Sequence, residues 1–322
     1  LLITMGRFAW EPTIVGPDRL WTTPIFNQLL IGYGVAAVSA LIAAYLKRNS
    51  EDLALKNILQ ALAALLSLLF FAVLTRHGMN GGKLTTAIPS LGEQSVYTLL
   101  TIGLSLVMML LDRRSSSATL RYGSMLATLV GAVVVLFNHL LTLNPYFTGE
   151  MVGNWPFLNL NLVGYLFPAL GFALITHYSN GLRPKFYVRA MSAIAALLAF
   201  AWVSFEVRRF WHGSSIADWK GFTEGETYSY TVVWLVLGVA LLIAGILRQT
   251  TVLRIASAIL IVIATAKAFL IDMSNLEGAL RALSFICLGL VLMGIGLFYQ
   301  RLMAKPDSEV AKVHDESDRA GA

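Results

Sequence analysis

Apolar runs of about 16 to 22 residues, each closed by charged or turn-forming residues, follow one another along the whole sequence. A helix rises about 1.5 Å per residue, so runs of this length match the roughly 30 Å of hydrocarbon in a bilayer. Nine are visible, approximately Pro24–Tyr45, Leu55–Leu74, Val96–Leu111, Tyr122–Leu141, Leu158–Ile175, Tyr187–Phe205, Tyr230–Leu247, Ile255–Ile271 and Ala282–Tyr299. Lipid offers the backbone no hydrogen-bond partners, so these runs must be helices or closed barrel strands, and uninterrupted apolarity excludes the alternation of a barrel. The expected fold is all-α, a polytopic integral membrane protein. A residue count that is 57% hydrophobic and 13% charged agrees, being far from that of a soluble domain.

Lys and Arg in the short connections set the expected orientation. One side gathers Lys47, Arg48, Lys56, Arg113, Arg114, Arg121, Arg183, Lys185, Arg189, Arg248 and Arg254, and the tail adds Arg301, Lys305, Lys312 and Arg319. The other side has fewer: Arg7, Arg19, Arg76, Lys83, Arg208, Arg209, Lys220 and Arg281, with Lys267 left inside a run. The first side is expected in the cytoplasm, with the N-terminus of this chain outside and the C-terminus inside a bacterial inner membrane. The +6 formal charge is then the positive-inside bias, and nucleic acid is not expected as a partner. Residues 303–322 are polar, mixed in charge and free of aromatics, and are expected to form a disordered cytoplasmic tail. The first residue is Leu1, and "LLITM" reads like the end of a helix, so we expect a piece of a longer chain.

The sequence also repeats itself. "PIFNQLLIGYGVAA" (Pro24–Ala37) and "PFLNLNLVGYLFPA" (Pro156–Ala169) share Pro, Asn, Leu, Gly-Tyr and Ala in register. The same shift of 132 to 133 places Pro12 and Gly16 on Pro145 and Gly149, "EQSVYT" (Glu93–Thr98) on "ETYSYT" (Glu226–Thr231), and "TLRYGS" on "VLRIAS". A parallel tandem repeat of a four-helix unit is expected, about 12–139 and 145–272, followed by an extra helix about 282–299, all within a membrane domain of 1–302.

Residues present in both copies most simply serve the scaffold: Arg76 with Arg209, Glu93 with Glu226, Tyr97 with Tyr230, and Asn27 with Asn159. The two glutamates are expected to meet helix N-termini, and the two asparagines to bond across helices. Charge found in only one copy suggests function instead. "SFEVRRFWHG" carries Glu206, Arg208 and His212 beside the shared Arg209, itself kept as a ligand candidate, and "AKAFLIDMSNLEGALR" carries Lys267, Asp272 and Arg281. Their first-copy counterparts include Val73 for Glu206, Thr75 for Arg208, Val134 for Lys267 and His139 for Asp272.

Lys267 is the sharpest candidate, because a Lys within a span costs about 2.5–3.5 kcal/mol on insertion scales. In an α-helix Asp272 would lie about 140° around from it, so a carboxylate on another helix, Glu206 or Glu226, is the expected partner. An interfacial belt of Arg208, Arg209, Trp211 and Trp219 is the plainer reading of the first block. His212 could exchange protons near neutrality, although a lone interfacial His usually serves structure. No metal-ligand spacing, phosphate loop or nucleophile elbow is present, the single Cys287 cannot close an internal disulfide, and no metal or cofactor is expected.

These residues resemble a family of bacterial predicted membrane proteins, DUF 2339, a domain of unknown function. The resemblance rests on "FEVRRFWHG", "ETYSYTVVW", "AKAFLIDMSNLEGALRALSF", "LGLVLMGIGLFYQRL", "NPYFTGEMVG" and "PIFNQLLIGYG". It implies a long protein with many spans, often preceded by a soluble coiled-coil-like segment, of which this chain would be the C-terminal portion. It implies no activity.

Three functions are open at this point. The first is transport or lipid handling, with Lys267, Asp272, Glu206 and Arg281 receiving an anionic or zwitterionic group. The second is an outward-facing enzyme acting on a lipid-linked envelope sugar or polymer, with Glu206, Asp272 or His212 as acid or base and the arginines on phosphate. The third is a scaffold binding envelope protein partners. Membrane lipids are expected neighbours in all three.

Overall fold

The computed structural model describes residues 23, 26–82, 84 and 88–272, and scattered positions between 285 and 300. Among the described residues the structure is helical, without strands. The start of the expected repeat at 12–22, the first two residues of the run expected over 24–45, most of the run expected over 282–299, Arg281 and the 303–322 tail lie outside them.

Two compact units are formed, one running to Phe222 and one from Thr223. The first contains α1 (Leu30–Leu46), α2 (Leu53–Met79), α3 (Leu91–Arg114), α4 (Ala118–Val134, continuing to Thr142), the short α5 (Pro145–Thr148), α6 (Leu162–Ser179) and α7 (Lys185–His212). Neighbours in sequence pack as antiparallel pairs, α1 on α2, α3 on α4 and α6 on α7, with α3 also against α2 and α6. The second contains α8 (Glu224–Leu247) and α9 (Thr251–Lys267, continuing to Asp272), packed along each other. Seven of these helices are long and apolar enough to cross a membrane, and α1 is a shorter apolar helix. Large apolar side chains such as Leu126, Val133, Val236 and Ile259 face outward, as lipid-exposed surfaces do.

Polar caps define where the helices begin. Asp52 Oδ1 accepts from Ala54 N at 3.0 Å and Leu55 N at 3.1 Å, opening α2. Ser90 Oγ accepts from Glu93 N, and Thr223 Oγ1 from Glu226 N, each at 3.2 Å, opening α3 and α8. The core of the first unit gathers Leu91, Ile102, Val135, Tyr165, Phe172 and Leu198. Hydroxyls lie inside as well: Ser105 Oγ bonds Ser124 O at 2.8 Å and Thr128 Oγ1 at 2.5 Å, joining α3 to α4. In lipid, where burying apolar surface gains little between helices, such bonds and close packing hold neighbours together.

Four helices contain wide turns, closed by i→i+5 bonds: Leu30–Gly34, Val135–Thr142, Leu162–Leu166 and Ala268–Asp272. The first and third start 132 positions apart, the second and fourth 133. Helices α3 and α8 each have 24 residues and also start 133 positions apart. The regular parts of α4 and α9 each have 17 residues at the same spacing.

Candidate functional site

The wide turn that ends α9 overturns the expected partner of Lys267. An i→i+5 turn holds more residues than an α-turn, so the fifth residue comes round to roughly the face of the first. Lys267 Nζ therefore reaches Asp272 Oδ1 at 2.5 Å. It also donates to Thr227 O at 2.7 Å and Thr231 Oγ1 at 2.9 Å, both on α8. The Thr231 hydroxyl in turn donates to Asp272 Oδ2 at 2.5 Å. Side-chain exposure is 12% for Lys267 and 6% for Asp272, so the pair is largely enclosed. An ammonium has three N–H donors and no acceptor, and here all three are engaged.

The first unit has a counterpart. His139, in the wide turn of α4, places Nε2 3.0 Å from Thr98 Oγ1 and donates from Nδ1 to Gly164 O at 2.7 Å. Thr98 and His139 stand 133 positions before Thr231 and Asp272. A similar correspondence joins Ser105 Oγ to Ser124 O and, in the reverse sense, Ser257 Oγ to Gly238 O at 2.7 Å. Nothing in apolar patterning marks Thr231 as a partner of Lys267, yet "EQSVYT" and "ETYSYT" end on these two threonines.

The "FEVRRFWHG" block sits at the end of α7 in the first unit, and its charges face protein. Glu206 Oε1 accepts from Asn159 Nδ2 at 2.7 Å and Asn161 Nδ2 at 3.2 Å, and its Oε2 from Arg209 Nε at 3.0 Å. Asn159, in the bend before α6, thus bonds to α7, while Asn161, which the sequence reading did not single out, completes the shell. Arg209 Nη1 also reaches Asn154 O at 3.4 Å.

Arg208, 1% exposed, donates to Ile216 O at 2.7 Å, Ala217 O at 2.5 Å and Gly221 O at 3.2 Å. Its guanidinium carbon lies 5.0 Å from the Tyr146 ring centre and 4.7 Å from that of Phe222. It pins the loop after α7 rather than snorkelling to an interface. His212 gives its carbonyl to Lys220 Nζ at 3.3 Å. In the same cap Trp219 covers Gly149, whose φ of +71° and lack of a Cβ both suit glycine.

The residues that match at the shift of 132 to 133 positions are held locally too. Glu93, in the first turn of α3, accepts from Arg76 Nη1 at 2.8 Å, Asn80 Nδ2 at 3.0 Å and the Tyr97 hydroxyl at 2.5 Å. Its place near the helix N-terminus is the expected one, with Ser90 supplying the cap itself. Arg76, Tyr97 and Tyr33 line a cavity of about 410 Å³. In the second unit the Tyr230 hydroxyl donates to Glu226 Oε1 at 3.2 Å. Asn27 Oδ1 accepts from Leu29 N at 3.0 Å, and its Nδ2 faces His77 Nδ1 at 3.3 Å. Among the described residues no three His, Cys, Asp or Glu side chains gather where a metal ion could sit.

The family model described as predicted membrane protein (DUF2339) matches residues 1–302. The chain belongs to that family. No curated protein and no solved structure matches it. As a DUF2339 protein the chain is a multi-pass membrane protein in contact with lipid, which agrees with the apolar helices described above.

Proposed function

We propose that this protein transports or otherwise handles an anionic or zwitterionic molecule of lipid-like character, and that Lys267 and Asp272 form its gate. The observation that carries this reading is the closed ring of Lys267, Thr231 and Asp272 inside an apolar span. Ionisable groups in a span are costly to insert and mark ligand or proton paths more often than packing. With three donors engaged, Lys267 accepts an incoming anion only when Asp272 is displaced. One negative charge then replaces another opposite the lysine.

The reading includes the tandem four-helix repeat, about 12–139 and 145–272, supported by the recurrence of helix lengths, wide turns and Thr98/Thr231 contacts at 132 to 133 positions. It also includes a bacterial inner membrane with the Arg113 end of the spans in the cytoplasm, supported by the bias of Lys and Arg. The enzyme reading has less support, because Arg208 is engaged by backbone carbonyls and Glu206 by Asn159, Asn161 and Arg209.

The test is movement of a fluorescent phosphatidylglycerol across proteoliposome membranes, followed by quenching from one side. Wild-type protein is expected to move the probe. Lys267→Ala is expected to abolish movement, and Asp272→Asn, which takes the carboxylate away from the ammonium, to speed it. Wild-type movement by Lys267→Ala sinks the proposal.

A further inference from the structure

A cleft of about 690 Å³ opens between α1, α2 and α3 of the first unit, away from every residue discussed above as a candidate. Along α3 its wall runs from Val96 to Ser115, a rise of about 28 Å, close to the full thickness of the hydrocarbon core. The lining is mostly apolar, with Arg48, Gln60, Ser67 and Ser115 as its polar side chains, and two of these stand out. At one end stands Arg48, its guanidinium carbon 4.0 Å from the Tyr45 ring centre. One of its five N–H donors bonds Tyr45 O at 3.2 Å. Midway, Ser67 contributes a buried hydroxyl with no hydrogen-bond partner. In the facing wall, a Cβ built on Gly103 would meet nothing within 4 Å, so the cleft is open there.

We infer that this cleft is a binding site for an anionic phospholipid, with one acyl chain lying along α3 and the phosphate at Arg48. Length, volume and charge converge on that occupant. About 690 Å³ spread along that length makes a slender path. A single file of methylenes is narrow enough. The guanidinium at the end of a mostly apolar path matches a phosphate oxyanion in charge and geometry. Arg48 is also one of the basic residues on the side assigned to the cytoplasm, where anionic headgroups concentrate basic side chains.

The site rests on the lipid-handling reading for its chemical class, but not on the Lys267 gate. The two fail separately. The experiment is native mass spectrometry of the intact protein released from nanodiscs of equal phosphatidylglycerol and phosphatidylcholine. Wild-type protein is expected to retain phosphatidylglycerol in preference to phosphatidylcholine. Arg48→Gln is expected to lower that preference about fivefold, the worth of one basic residue near an anionic surface.

Gly103→Leu and Ser67→Leu plug the cleft from opposite walls and are expected to remove the retained lipid. Ser67 loses no hydrogen bond in the change, and a thermal unfolding curve establishes that either variant is folded. Lys267→Ala is expected to retain lipid as the wild type does. If that variant retains lipid and also moves the probe normally, the gate falls and the cleft stands. Equal retention of both lipids by wild-type protein overturns the cleft proposal whatever the variants do. So does undiminished retention in a folded plugged variant, or a wild-type dimer that Gly103→Leu splits without loss of lipid.

Discussion

At the scale of single residues, burial has turned suspected ligand groups into fasteners. Arg208 is the clearest case, with three backbone carbonyls around one guanidinium. Arg208→Met would keep most of the apolar stem and leave those carbonyls without their donor. Bonds to charged groups are worth about 1.5–3 kcal/mol each, and their loss is not additive, so we expect a stability loss of about 3 kcal/mol. Thermal unfolding in detergent checks it, and an unchanged midpoint would mean that the loop holds itself. Arg208 had been weighed as a phosphate holder or an interfacial anchor, since its residue type and its place near a span end suit either. Nothing in "FEVRRFWHG" states that the chain folds back, because the carbonyls that bind the guanidinium belong to positions of no special identity, Ile216, Ala217 and Gly221.

At the scale of the helix, the wide turn decides which side chains meet. It lets a pair five residues apart act as a pair, and Val134 and His139 have the same spacing in α4, whose wide turn runs Val135–Thr142. Introducing Val134→Lys alone is expected to destabilise by about 3 kcal/mol, the insertion cost of an unpaired Lys. Combined with His139→Asp, it should show a favourable coupling of about 1–3 kcal/mol in a double-mutant cycle, and strictly additive changes would refute the equivalence of the two turns.

The spans themselves were legible, since eight of the nine apolar runs fall on described helices. Their ends were not. The apolar run at 96–111 became Leu91–Arg114 because a capping Ser90, the bonded Glu93 and the basic residues of the last turn belong to the helix although they are polar. The pairing of Lys267 with Asp272 was hidden for a related reason. Helical periodicity assumes an α-turn throughout, and the apolar pattern around Ala268–Asp272 gives no sign of the wider one.

At the scale of the whole molecule, orientation and repetition are the two properties that charge and length carry. In a Cys287→Ser background, Lys47→Cys is expected to react with an impermeant maleimide only after the cytoplasmic face is opened, and Lys220→Cys in intact cells. The reverse pattern would invert the orientation. Site architecture was only partly readable at this scale. Charges confined to one copy drew attention to Lys267 and Asp272, which the structure brings together. The same reasoning gathered Glu206 with them, although Glu206 is bound by Asn159, Asn161 and Arg209 of its own unit.

The burial of Arg208 also bears on biogenesis. Under the proposed orientation the end of α7 must cross the bilayer while the chain is still being made, and the carbonyls that will receive its guanidinium lie 8 to 13 residues further on. Until they follow, the guanidinium lacks the three carbonyls that hold it in the folded protein. The loop that follows must therefore be translocated closely behind it, so α7 and residues 213–222 are expected to enter as one step, committed together or withheld together by the insertion machinery.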